Sequence, residues 1–164
     1  MVHIVLSVGW LGAVVSFLAL TVWGIVVPDP RVVATAYLAA EPVVRFAIVP
    51  LGLGALLSGI IQSVGSPWGL FDYYWVLFKL MFTAVALVVL LQYVPTVSYF
   101  ARLAAGDLNN PAGLWSYLLH SAGGLLILLL NTVLGVYKPP GLTPWARRRR
   151  DPRLSAGPAP KRPR

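Results

Sequence analysis

The side chains that could do chemistry in this sequence are few, and they lie inside long apolar runs at regular spacing. Four sets of polar or small residues have members four positions apart: His3 and Ser7, Ser58 and Gln62, Lys79 and Thr83, and Ser116, His120 and Gly124. A spacing of four places each set on one face of a helix. We therefore predict a polar seam inside a helical bundle, made of His3, Ser7, Ser58, Gln62, Lys79, Thr83 and Asn131. The alternative is that these groups only join helices, at about 0.6 kcal/mol per contact.

Lys79 is a lone cation in an apolar run that is long enough to cross a bilayer. One interpretation is that its stem snorkels to the headgroups, because only about 9 Å of helix rise separates it from Tyr73. The other is that its ammonium lines a pocket and meets an anionic head group or substrate.

His3 and His120 raise a different prediction, because neutral imidazoles can hold haem iron or a soft metal such as copper. His3 lies at one end of the first apolar run, whereas His120 lies about 9 Å inside the last one. In a core of about 30 Å they would be on the order of 20 Å apart, too far to share one ion. Each histidine could still bind haem b or copper alone or across a homodimer, and we predict no other metal site.

Several classes of chemistry lack their parts in this sequence. The chain has no cysteine, which removes disulfides, thiolate metal sites and cysteine nucleophiles. None of the predicted spans contains an aspartate or glutamate, so a proton-coupled carboxylate is not expected. A Ser–His–Asp set and a phosphate-binding glycine loop are lacking too. We name no catalytic residue and favour a protein that is not an enzyme.

The elements that must position these residues are four transmembrane helices. Apolar residues make up 58% of the chain and charged ones 11%, against roughly 25% charged in soluble domains. We predict one domain, residues 1–138, with spans at about 2–27, 43–64, 73–94 and 114–137. Residues 31–41 read as an Ala-rich connector or a short helix at the membrane interface, Pro50 as a kink and Pro95 as the end of the third span. The Pro- and Arg-rich residues 139–164 are expected to be a disordered tail.

The positive charge predicts orientation and a lipid contact, and not nucleic-acid binding. Most of the 13 basic residues lie after Tyr137, while the apolar body is nearly neutral. Basic residues favour the cytoplasmic side, so both termini should be cytoplasmic. Arg147, Arg148, Arg149 and Arg150 would then contact anionic lipid of the inner leaflet, at about 1 kcal/mol per basic residue.

Four motifs together resemble actinobacterial integral membrane proteins of the DUF2269 type, a family of unknown function. They are HIVLSVGWLG at 3–12, LSGIIQSVGSPWG at 57–69, LFDYYWVLFK at 70–79 and HSAGGLLILLLNTVLGVYKPPGL at 120–142. The resemblance covers nearly all of residues 2–146 and implies a multi-pass protein of a bacterial plasma membrane. A looser similarity, through His3, Trp10 and Gly12, is to copper-resistance D and HemJ-like membrane proteins, whose histidine is associated with haem or copper.

The sequence therefore predicts an all-α, four-helix integral membrane protein. Its favoured role is that of a non-enzymatic membrane scaffold or partner subunit that acts through lipid or protein contacts. The first alternative is a haem- or copper-binding protein that uses His3 or His120. The second is a small-solute transporter subunit that must oligomerise, because four helices leave little room for a pathway.

Overall fold

The computed structural model describes residues 1–27, 29–106 and 113–150. Within these ranges the regular structure is helical, apart from an isolated bridge between Tyr73 and Leu142. The elements are α1 (Val2–Val26), α2 (Pro30–Val43), a π-helical segment (Val44–Ile48), α3 (Val49–Val64), α4 (Tyr74–Gly106), α5 (Leu114–Tyr137) and α6 (Pro144–Arg150).

Four helical stretches of the described chain are long and apolar enough to cross a membrane. They are Val2–Val26, Pro30–Val64, Tyr74–Gly106 and Leu114–Tyr137. Large apolar side chains face outward, with Phe46 80% and Leu119 72% exposed, which suits lipid and not water. The prediction of four apolar helices is confirmed, and the architecture is that of a multi-pass membrane protein. The orientation of the termini stays a prediction.

The helices pair around a ring. α1 packs on α2, α3 and α5, and α4 packs on the same three elements from the other side. As a result, α1 lies diagonally opposite α4, and the continuous helix Pro30–Val64, made of α2, the π-helical segment and α3, lies opposite α5. Cavities along the bundle axis can therefore be lined from all sides.

The second helix is longer than predicted. Residues 31–41, expected to be a connector or a short interfacial helix, lie in α2, which continues through the π-helical segment into α3. The buried residues Val33, Tyr37, Ala40 and Val44 follow helical spacing and face α1 and α4. Burial of this stripe stabilises the helix through packing. Glu41 therefore lies on a membrane-length helix, whereas the predicted spans contained no carboxylate.

The π-helical segment stands where the sequence predicted a kink. Pro50 has no N–H to donate, and its ring would press on a carbonyl one turn earlier in an α-helix. The wider turn just before it shifts the hydrogen bonding, so that the Val49 N–H donates to Val44 O, five residues back. The helix therefore continues past Pro50 instead of ending there.

The third transmembrane helix also continues beyond its predicted end. α4 runs through Pro95 to Gly106, because Pro95 is exposed and the residues after it are packed. Val97, Ser98, Ala101 and Ala104 are buried at spacings of one, three and three, on the side that meets α2. This packing outweighs the lost hydrogen bond, as neighbouring helices commonly allow in membranes.

The chain after α5 folds back on the bundle as far as the structure describes it. The Thr143 N–H donates to Asp72 O at 2.9 Å, and the Thr143 hydroxyl donates to Phe71 O at 2.8 Å. α6 follows, with Ala146 buried. Residues 139–150 of the predicted disordered tail are described, with α6 among them, whereas residues 151–164 lie outside the described residues; disorder of the tail stays a prediction.

Candidate functional site

A polar cavity of about 190 Å³ lies at the end of the bundle where α1 begins and α5 ends. It is lined by residues from all four transmembrane helices and from the α3–α4 turn. Its polar lining side chains are His3, Gln62, Ser63, Ser66, Trp68, Trp75, Lys79, Thr83 and Lys138. We call this space the Lys79 pocket.

Two lysines give the Lys79 pocket its charge. Lys79 is half-buried, about 7.5 Å of rise inside α4. Gly135 makes room for it, because a Cβ at that position would lie 2.8 Å from Lys79 Nζ. Lys138 Nζ lies 5.3 Å from the centre of the Trp68 ring, a cation–π contact. The lining contains no carboxylate, so the pocket carries uncompensated positive charge among the described residues.

An unpartnered donor and an uncommon backbone conformation lie at the same pocket. The indole N–H of Trp75 is buried and has no hydrogen-bond partner among the described residues, although Trp75 lines the cavity. Lys138 adopts a left-handed backbone conformation with φ 42°, uncommon for a residue other than glycine. Unmet donors and strained backbone are features that cluster at functional sites.

His3 is held at the pocket wall by Ser58. Its Nδ1 lies 3.1 Å from Ser58 Oγ, and Ser58 uses its own proton in a 2.6 Å bond to Gly54 O. Since that hydroxyl has only one proton, His3 Nδ1–H must be the donor, which leaves Nε2 as the free nitrogen. Gly59 permits this arrangement, because a Cβ there would lie 3.0 Å from His3 Cε1.

Most members of the predicted seam lie at this end of the bundle. Asn131 donates to Thr83 Oγ1 at 3.0 Å, a contact between α5 and α4, and Asn131 Oδ1 is buried without a partner in the described chain. Gln62 lines the pocket from its exposed edge. Ser7 is half-buried one turn further along α1, and it is not among the pocket's lining residues.

His120 lies elsewhere, at an apolar cavity that shares no lining residue with the Lys79 pocket. Its ring stacks on Tyr93, with centroids 3.6 Å apart. Its Nδ1 lies 2.8 Å from Ser116 O; a carbonyl only accepts, so Nδ1 carries a proton and Nε2 is free. His3 and His120 therefore do not fit a haem held by both histidines of one chain. The described residues also contain no group of three or more His, Cys, Asp or Glu side chains that could hold a metal.

The four arginines predicted to contact lipid form the last part of α6 and are exposed. Arg150 is tied to the α3–α4 turn, with Nη2 3.7 Å from Asp72 Oδ2 and its guanidinium 5.7 Å from the Tyr73 ring centre. Arg147, Arg148 and Arg149 extend the same basic surface.

Two features were not predicted from the sequence. Arg45, on the π-helical segment, donates to Glu41 Oε1 at 3.0 Å and to Ser98 Oγ at 2.7 Å. The bond to Ser98 joins the continuous helix Pro30–Val64 to α4. The spacing of four between Glu41 and Arg45 was a readable signal once residues 31–41 are taken as helix. The apolar cavity beside His120 had no such signal, because its walls come from residues far apart in the chain.

No family model, curated protein or solved structure matches this chain.

Proposed function

We propose that this chain is a non-enzymatic, multi-pass membrane protein that binds an anionic phosphate-bearing group, the headgroup of an acidic lipid, in the Lys79 pocket. The observation that carries the proposal is the pair Lys79 and Lys138 at one cavity without a lining carboxylate.

Charge balance favours an anionic ligand. A lysine placed at the centre of a membrane helix costs about 2.5–3.5 kcal/mol on insertion scales, and less toward the end of the helix. Lys79 has no ion-pair partner among the described residues, so a bound anion would offset the cost that remains. Trp75, whose buried indole N–H has no hydrogen-bond partner among the described residues, lines the same cavity, whereas the Ser63 and Ser66 hydroxyls already donate to backbone carbonyls.

Size and position favour a lipid headgroup. The cavity of about 190 Å³ is roughly six times the ~30 Å³ share of a liquid water molecule, enough for a phosphate and not for a whole lipid. It lies at the helix ends, where headgroups lie when the helices span a bilayer. The basic surface of α6 is on the same end, and positive residues favour the cytoplasmic leaflet, which holds anionic lipid.

A binding titration tests the proposal. Purified protein in detergent is titrated with dioctanoyl phosphatidylglycerol, dioctanoyl phosphatidylcholine or inorganic phosphate, and binding is followed by the change in tryptophan fluorescence, since two of the six tryptophans, Trp68 and Trp75, line the pocket. We expect the anionic lipid to bind more tightly than the zwitterionic one. Lys79→Gln should weaken the anionic lipid at least about tenfold, the value of a hydrogen bond to a charged group.

Arg147→Gln is the matched control, because Arg147 is exposed on α6 and outside the pocket. It should leave the affinity within about twofold. Equal weakening by both variants would move the lipid site to α6 and overturn the proposal. Tight binding of inorganic phosphate without lipid preference would identify a free anion as the ligand, and the lipid part of the proposal would be wrong.

The remaining sequence predictions are proposals of the same kind. A haem b or copper group on His3 or His120 alone requires a free Nε2, which both hydrogen-bond patterns leave. An optical spectrum of the purified protein tests haem, since bound haem gives a Soret band. A homodimer, and an oligomeric transporter subunit, are tested by cross-linking in native membranes. Likeness to the DUF2269 type and a bacterial plasma membrane stay predictions from sequence motifs.

A further inference from the structure

The second cavity of the bundle is larger and almost wholly apolar. Its volume is about 360 Å³, within the ~300–1,000 Å³ range of sites for small organic ligands. α1, the π-helical segment, α4 and α5 all contribute to its walls, with Trp10, Phe17 and Tyr93 as the largest side chains. It is independent of the Lys79 pocket and of the function proposed there.

Two hydrogen-bonding groups on its walls lack partners. Trp10 is 4% exposed, and its indole N–H has no hydrogen-bond partner among the described residues. His120 presents a free Nε2, because its Nδ1 proton is used by Ser116 O. Because the Trp10 indole nitrogen has almost no accessible surface, His120 Nε2 is the group that the walls offer to a ligand, and it is an acceptor without a donor.

The chemistry of the walls selects the ligand. A hydroxyl group can donate to an imidazole nitrogen, whereas an ether or ketone can only accept. A charged ligand would lose its hydration in an apolar space that offers no counter-charge. An aromatic ring would extend the stack that His120 and Tyr93 already form.

Access is from the bilayer. Leu119 is 72% exposed and Val89 45% exposed, yet both line the cavity. The cavity therefore opens between α4 and α5 on the surface that faces lipid, and a ligand dissolved in the membrane can enter without crossing water.

We infer that this cavity binds a membrane-dissolved lipophile that carries an aromatic hydroxyl, a phenol or quinol ring on an apolar chain. The ring lies against the Tyr93–His120 stack, and its hydroxyl donates to His120 Nε2. The apolar chain lies along α5 toward Gly124 and Ile127.

A matched pair of ligands tests the inference: 4-hexylphenol and hexylbenzene, which differ by one hydroxyl. Ligand that binds the folded state raises the melting temperature, so thermal unfolding in detergent reports on binding. We expect 4-hexylphenol to bind about five- to tenfold more tightly than hexylbenzene, the value of one hydrogen bond. Equal binding of the two would show a cavity that only takes apolar chains, and the inference would be wrong.

Two variants locate the site. A Cβ on Gly124 meets nothing within 4 Å, so Gly124→Leu should fill the cavity and abolish the ligand-induced shift. Gly12→Leu is the matched control, because Gly12 also has open space but lies outside the cavity. A shift that survives Gly124→Leu would place binding in the micelle or elsewhere and overturn the inference.

His120→Phe separates the hydrogen bond from the packing. Phenylalanine keeps a ring on Tyr93 and removes Nε2. Binding of hexylbenzene should persist while the preference for 4-hexylphenol falls to about twofold or less. A full preference in this variant would refute the assignment of the hydroxyl to His120 Nε2, and this readout holds if Gly124→Leu fails to fold.

Discussion

Replacing Gly52 with alanine should reveal how tightly the bundle is packed where three helices meet. An added Cβ would lie 2.9 Å from Trp10 Cε2, 3.0 Å from Trp10 Cζ2 and 3.2 Å from Leu87 Cδ1. Carbon atoms normally approach to about 3.5–4.0 Å. Trp10 and Leu87 are 4% and 5% exposed, so neither side chain can turn outward without moving a helix. The methyl group therefore overpacks the core.

The size of the effect follows from two opposing contributions. Alanine in a helix interior is more favourable than glycine by about 1 kcal/mol. Overpacking a core costs about 1–3 kcal/mol. A Cβ added at Gly12 on α1 would meet no neighbouring atom within 4 Å. Gly12→Ala should therefore show only the stabilising effect of alanine in a helix. We expect Gly52→Ala to be less stable than Gly12→Ala by about 1–3 kcal/mol.

The assay is unfolding of both variants in the same detergent, followed by circular dichroism at 222 nm. A double-mutant cycle with Trp10→Phe adds a direct test of the contact, because the smaller ring withdraws the atoms that meet the new methyl. The cost of Gly52→Ala should shrink in that background. Equal stability of Gly52→Ala and Gly12→Ala, or a cost unchanged by Trp10→Phe, would refute the packing argument.

Three further predictions concern other parts of the molecule. Asn131→Ala and Thr83→Ala should show a coupling of about 0.6 kcal/mol in a double-mutant cycle, and zero coupling would mean that their 3.0 Å bond is not formed in the membrane. Thr143→Ala removes a 2.8 Å bond to Phe71 O, so trypsin should cut among Arg147–Arg150 faster than in the parent chain; equal rates would show that this bond does not hold α6 in place. The chain has no cysteine, so an impermeant maleimide on intact cells should label Ala105→Cys and not Pro139→Cys, and the reverse pattern would invert the predicted orientation.

The predicted site was only partly readable from the sequence. The spacing of four placed the members of each pair on one helix face, because a helix repeats every 3.6 residues; the pairs are His3 and Ser7, Ser58 and Gln62, and Lys79 and Thr83. It did not show which faces meet. The structure pairs His3 with Ser58 and Asn131 with Thr83, sets Lys79 beside Gly135, and leaves Ser7 outside the pocket. Those contacts depend on how each helix is rotated in the bundle.

Helix ends show the same division. Pro95 read as a helix end, and residues 31–41 as a connector between Pro30 and Pro42, because proline removes a helix hydrogen bond. In the fold, Val97 and Tyr37 are buried on neighbouring helices, and this packing continues both helices past those points.

What the sequence alone determined is the class of molecule: four apolar helices long enough for a bilayer, with a positive charge concentrated after the last one. Hydrophobicity and length are sums over neighbouring residues, so they can be read without a structure. Only the tertiary structure decided that the lysines share one cavity and that Trp10 and His120 share another. Cavities form between helices that are distant in sequence, and their shape depends on side-chain packing that no local pattern encodes.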